Sequence, residues 1–245
     1  MKKFKCLLTA MLLGCSTMSF AQFMNGGGSS SSSSDNTPWK GLRFSYDRTF
    51  VNIDIDDAPS QDMNGFSLGY VQSFSIAKKL PLFFETGAGI NFARYSDSES
   101  DSETIYGYTS DENKWSTTTL GLTIPLNVVY KININDKLAL KPYTGFYLRV
   151  NLMSKSNDKM EVSIPSEFSQ YVDASDYEWD EDYNNFDKDD VGEDGTWNRV
   201  QFGWQIGATL DINKFNVGIG YALDFNEIAE KTKCGIFSAR LGFNF

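Results

Sequence analysis

Asp180, Asp182 and Asn184 have the alternate spacing with which a calcium-binding loop offers its first side-chain oxygens. The match ends there: Asn185 stands where such a loop needs a turn glycine, and Val191 where it needs a bidentate glutamate. The carboxylates around it suit Ca²⁺ or Mg²⁺, so weakly bound Ca²⁺, in the millimolar range, is the only cofactor expected. Acids are dense here and in one other place. Ser96–Asn113 holds six acids and no base, and Asp173–Asp194 holds 11 acids and one lysine in 22 residues, interleaved with Tyr177, Trp179, Tyr183 and Phe186. Like charges in a run repel and solvate, which predicts mobile loops. Aromatics among acids offer the sharper alternative of contact with a surface protein or glycan.

The residue types present exclude several chemistries. No histidine occurs in the 245 residues, which removes Ser-His-Asp and Cys-His hydrolases and most zinc sites. No serine or aspartate sits in a recognisable catalytic constellation, so the chain is read as non-enzymatic, against a lipid-modifying or protease-like rival. With 22 basic and 32 acidic residues the formal charge is −10. Phosphate contacts need lysine and arginine in excess, so no nucleic-acid partner is expected.

The N-terminus reads as an export signal. Lys2, Lys3 and Lys5 precede an apolar run from Leu7 to Gly14, and Ser19 and Ala21 fit a cleavage site before Gln22. The run is too short for a transmembrane helix, which takes about 20 apolar residues. Leu12-Leu13-Gly14-Cys15 also offers a lipobox, the alternative being lipidation at Cys15. Cleavage after Ala21 removes three lysines, Cys6 and Cys15, so the charge becomes 19 − 32 = −13 and Cys234 is the only cysteine left. No intramolecular disulfide staples the fold. Residues 1–21 are then the signal peptide, 22–38 a Gly/Ser-rich tether, and 39–245 the folded domain.

The elements that must position all these groups are strands. In Val200–Ile212 every even position is apolar and every odd one is polar or glycine, and Phe215–Phe225 and Phe237–Phe245 repeat the pattern. With more lapses it recurs in Leu42–Tyr46, Phe66–Ile76, Leu82–Phe92, Thr118–Ile132 and Leu138–Leu152, making eight strands. Most run 11 to 15 residues, long beside the usual 5 or 6 but suited to a tilted membrane crossing of about 9 to 11. Their connections alternate strictly. Tight links at Ala77–Pro81, Asn133–Lys137 and Asn213-Lys214 separate long ones at Asp47–Gly65, Ser96–Trp115, Met153–Asn198 and Asn226–Cys234. An antiparallel up-and-down barrel puts all the turns at one end and all the long loops at the other.

The bulk of the two faces decides which is outside. Phe44, Phe66, Tyr70, Phe84, Phe92, Phe146, Phe202, Trp204, Tyr221 and Phe243 share the apolar face, and glycine and small polar residues the other. An eight-stranded barrel has room inside only for side chains, so the rings belong outside, against lipid. Mean hydropathy is −0.35 although the strands present an apolar belt. A soluble lipocalin-like barrel with the faces reversed is the rival. Pro125 and Pro142 fall within strands, where each removes a ladder hydrogen bond unless a bulge sits there.

A signal peptide, eight alternating strands, short turns against long loops and a terminal Arg-Leu-Gly-Phe-Asn-Phe resemble the small outer-membrane β-barrel family of Gram-negative bacteria, the group that includes the OmpA and OmpX barrels. The resemblance covers residues 39–245. It implies an all-β, eight-stranded antiparallel transmembrane barrel in the outer membrane, with short periplasmic turns and long extracellular loops. It implies as partners outer-membrane lipid and the barrel-assembly machinery, with Leu241, Phe243 and Phe245 as the assembly signal, and a monomeric chain.

Strand direction then distributes the inward ionisable groups. Arg43, Glu85, Lys141 and Arg240 fall in the periplasmic half, and Asp47, Arg149, Arg199 and Asp224 toward the outside. Unpaired charge in a narrow lumen is costly, so mixed layers predict a plug of ion pairs. A channel or transport component for ions or small solutes is the alternative. Cys234 falls on the inward face near the outer rim as an inert thiol. Function is therefore expected in the acidic loops, as a structural or surface-interaction role.

Overall fold

In hydrocarbon every strand needs a neighbour on both edges, because no water is available to satisfy a free N–H or C=O. The computed structural model describes residues 37–54, 61–77, 80–101, 110–164, 171 and 173–245; the segment expected to be a signal peptide, with Cys6 and Cys15, and the expected tether up to residue 36 lie outside the described residues. In chain order the strands are β1 (Lys40–Ile53), β2 (Met63–Ser75), β3 (Leu82–Asp101), β4 (Ser110–Tyr130), β5 (Ile132–Asn135), β6 (Leu138–Ser163), β7 (Trp179–Asn184), β8 (Val200–Ile212), β9 (Phe215–Asp224) and β10 (Thr232–Asn244). All but β5 and β7 form an antiparallel ring in chain order, closed where β1 pairs with β10 and where β4 pairs with β6. This is the eight-stranded up-and-down barrel that the alternation predicts.

The faces sort as their bulk requires. Phe66, Leu68 and Ile90 are 53%, 60% and 56% exposed, which suits lipid and not water. Rings stack along this belt, Phe44 on Phe66 at 5.8 Å and Phe146 on Phe202 at 5.5 Å. Some rings break the rule that rings lie outside: Phe83 on β3 is buried near the periplasmic end, and Tyr143 and Tyr147 on β6 are buried in the lumen. Glycines on neighbouring strands make the room. A Cβ at Gly203 would lie 2.5 Å from the Tyr147 hydroxyl, and one at Gly207 2.5 Å from Cζ of Tyr143.

The prolines need no bulge. The β3–β4 ladder skips the positions opposite Pro125 and Ile124 and resumes on either side. Pro142 falls where β4 gives way to β5, between the pairs Val129↔Tyr143 and Ile132↔Leu140. Each missing N–H thus coincides with a short gap in one ladder. Register shifts occur elsewhere: at Leu152 in β6, where Gly121 faces Asn151 and Leu120 faces Met153, and at the β5–β6 turn between Asn133 and Asn135.

The ends of β3, β4 and β6 give the long external connections strand structure of their own. Tyr95–Asp101 pairs with residues 111–117 and Ser154–Ser163 with residues 110–119, and β7 adds to β6 from Lys155↔Asn184 to Met160↔Trp179. Much of Ser96–Trp115 and Met153–Asn198 is therefore a four-stranded sheet standing beyond the rim. A 3₁₀ turn (Ala174–Asp176) and helix α1 (Lys188–Gly195) flank β7. The helix begins at Asp187, whose side chain accepts from the Asp189 N–H, and Asp189 and Asp190 add negative charge in its first turn.

Gly207→Ala should destabilise the barrel by about 1–3 kcal/mol, because the added methyl meets both the Tyr143 ring and the β9 backbone. Urea titration in detergent micelles, read by heat-modifiable gel migration, measures this. An unchanged midpoint would contradict the packing.

Candidate functional site

Two regions can carry function: the lumen and the external sheet. The inward positions of the ring carry four cations, Arg43, Lys141, Arg149 and Arg240, and four anions, Asp47, Glu85, Asp211 and Asp224, so their formal charges cancel. Lys141 meets Asp211 at 2.5 Å and lies over the Trp39 ring at 3.5 Å, while the Trp39 indole donates to Glu85 at 2.7 Å. Arg43 donates to Asn244 at 2.9 Å, and Asn244 donates to Asp211 at 3.2 Å. This linked group fills the periplasmic half. Farther out, Arg149 donates to Asp224 at 2.6 Å and Tyr147 donates to the other oxygen of the same carboxylate, with Asp224 only 2% exposed. Ser67 donates to Asp47, and Arg240 lies 5.3 Å from the Tyr143 ring.

Apolar clusters pack at both ends of this polar column. Trp39, Phe83, Val129 and Tyr143 pack at the periplasmic end. Val51, Met63, Ala93, Ile228 and Cys234 pack at the outer end, with Trp197 against them. Ile228 comes from the β9–β10 connection, held by the Asn198 N–H donating to the Ile228 carbonyl at 2.6 Å. A cavity of about 180 Å³ remains inside.

Of the eight lumen residues expected from sequence, seven face inward and Arg199 does not. It precedes β8, lies exposed, and stacks its guanidinium 3.9 Å from the Phe186 ring. Alternation cannot be extrapolated past the first paired residue, Val200. Asp211, Tyr143 and Tyr147 are the members that the sequence reading missed. Asp211 lies at an odd, inward position of the clearest alternating segment, and Tyr143 and Tyr147 share the odd parity of Lys141 and Arg149, so their signal was present; what no local pattern shows is the room for the two rings, which comes from glycines on other strands. Leu241, Phe243 and Phe245 all lie on the lipid side, the first 57% exposed.

The external sheet has two unlike faces. On the face that continues the lipid-facing side, Glu161 meets Lys114 at 2.7 Å and Lys159 at 2.8 Å, and Lys114 also meets Glu112 at 3.1 Å. The hydrogen bonds from Lys114 and then Lys159 hold the Glu161 carboxyl down at about 2, and the same hydrogen bonds raise both lysines. Asp180 and Asp182 belong to this face too, and one side-chain amide, that of Asn157, donates to both, at 2.7 and 3.0 Å. Asp180, Asp182 and Asn184 lie along an extended strand, where successive same-side residues are about 6.6 Å apart, and the Asn184 oxygen accepts from the Phe186 N–H. Among the described residues no group of three or more acids or cysteines converges as metal ligands do.

Comparison with known proteins agrees with this architecture. Residues 20–230 match the family model described as outer membrane protein beta-barrel domain. No curated protein matches the sequence. Similar solved structures include Ail, the attachment invasion locus protein of Yersinia pestis, in complex with the heparin analogue sucrose octasulfate, at 16% identity and a TM-score of 0.31, covering 85% of this chain and 99% of that one. Neisserial surface protein A is similar at 13% identity and a TM-score of 0.38, covering 84% and 97%.

Asp224→Ala should cost about 3–5 kcal/mol, since it leaves the Arg149 charge buried alone. Pairing it with Arg149→Met should recover most of that loss in the same urea titration. For Glu161 the folded value lies below the ordinary 4.5, so its contribution is full above about 4.5 and fades as pH falls toward about 2. Hydrogen exchange across Lys155–Ser163 should therefore accelerate between those values. Glu161→Gln should show that faster exchange already at neutral pH.

Proposed function

This chain belongs to the outer-membrane β-barrel domain family, and on that premise we propose that it is a non-enzymatic surface-interaction protein whose barrel is a closed pedestal for the external sheet. The observation that carries the reading is the continuation of β3, β4 and β6 past the rim into a sheet with β7. Contact residues are thereby mounted on strands anchored in the membrane, and a site built on strands is held more firmly than one on loops. The cancelled charges and the two apolar clusters support a plugged lumen. Ion flow would require parting the Arg149–Asp224 and Lys141–Asp211 pairs and displacing Trp197 and Ile228.

Export by the cleaved signal peptide, folding by the barrel-assembly machinery through Leu241, Phe243 and Phe245, and a monomeric state complete the proposal. The polyanion bound by the Yersinia protein does not transfer. The acids outnumber the bases in this sheet, and sulfates would be repelled.

Two measurements test the reading. Planar-bilayer recordings should show no stable conductance steps, and a persistent open channel would overturn the plug. Cells displaying the intact protein should bind a panel of immobilised surface proteins and glycans, and a variant with residues 154–198 replaced by a short Gly-Ser link should lose that binding while keeping heat-modifiable migration. Equal binding by both would sink the assignment of function to the sheet.

A further inference from the structure

The strand register assigns every side chain of the external sheet to one of two faces, since directly paired residues share a face and successive ones alternate. The face that continues the lumen side holds the row Asp97–Trp115–Asp158–Glu181, with Glu99–Asn113–Met160–Trp179 above it and Tyr95–Thr117–Ser156–Tyr183 below. Two hydrogen bonds agree with this placement: Tyr95 donates to Asp97 at 3.1 Å, and Tyr183 donates to Glu181. Twelve positions thus carry four acids, four aromatics and no lysine or arginine. The lysines of the external sheet, Lys114, Lys155 and Lys159, stand on the opposite face, where Lys114 and Lys159 are bound to acids.

From this segregation we infer that the axis-facing side of the external sheet is a docking surface for a lysine- or arginine-rich peptide segment. The inference rests on the sheet being the contact surface and names the partner's chemistry. Aromatic faces attract cations, tryptophan most strongly, and carboxylates beside them add charge-assisted hydrogen bonds to guanidinium or ammonium groups. Neighbouring strands lie about 4.8 Å apart and same-face residues about 6.6 Å apart along a strand. Acids spread on such a grid do not converge on one small ion, but they match a chain of separated cationic groups. Asp97, Glu99, Trp179 and Glu181 are exposed. The shielded side-chain oxygen of Asn113, with no hydrogen-bond partner among the described residues, adds an acceptor on this face.

The test uses the full protein in detergent micelles at physiological ionic strength, with fluorescein-labelled octa-arginine as probe and octa-glutamate and maltohexaose as controls. Octa-arginine should bind and shift the tryptophan emission, and the controls should not. Asp97→Asn, Glu99→Gln and Glu181→Gln combined should weaken binding about tenfold, while Glu112→Gln, Asp180→Asn and Asp182→Asn combined, an equal change of charge on the other face, should alter it by less than about threefold. Trp115→Ala with Trp179→Ala should weaken it about tenfold. Heat-modifiable migration checks that every variant is folded. Equal weakening by the two acid sets, binding of maltohexaose instead, or no binding of octa-arginine overturns the inference. If the sheet-deleted variant still loses surface binding in that last case, the cationic partner falls and the sheet keeps its role; if it does not, both fall.

Discussion

Backbone saturation governs this molecule. A strand crossing hydrocarbon cannot leave one edge open, so the β1–β10 pairing is a condition for the other seven junctions to exist in a membrane. Closure at eight strands in turn fixes a narrow bore, and the bore dictates its filling. Large rings must lie outside or be given glycine opposite them, as Tyr143 and Tyr147 are. Charges inside must cancel, because an unpaired ion buried in so narrow a space is costly. Even the prolines obey the constraint, each falling where one ladder is briefly interrupted while the strand on its other side stays paired.

The barrel was legible because a period of two is a local property. Val200–Ile212 declares its two faces residue by residue, and the alternation of tight turns with long connections orders the strands without any tertiary knowledge. The ion pairs were legible as a set of inward charges but not as partners, since pairing depends on register between strands far apart in sequence. Lys141 finds Asp211 through the β6–β8 ladder, and nothing local announces it. The external sheet was the larger omission. Ser96–Asn113 and Asp173–Asp194 look like solvated loops because their charge masks an alternation that ordering by barrel strands reveals. Arg199 shows the converse error, a parity carried one residue beyond the strand that enforces it.

Membrane and solvent parts of the chain follow one geometry with different side chains. Within the bilayer the outer face is apolar and the inner face polar; past the rim the same two faces become an ion-paired side and an aromatic, acidic side. The strands do not end where the membrane does. Anchoring in the barrel therefore supplies the order that a run of like charges could not supply for itself.

That arrangement depends on the bulge at Leu152. Before it the odd residues of β6 point to the axis, as Arg149 and Asn151 do; after it the even ones do, as Ser154 and Ser156 do. Were Leu152 drawn into the ladder instead of bulging, every later pair would slip by one residue and Lys155 and Lys159 would turn toward the axis, beside Asp97, Glu99 and Glu181. The electrostatic character of the molecule's outermost surface is thus inherited from whether one residue at the rim bulges out of the ladder, independent of which residues follow.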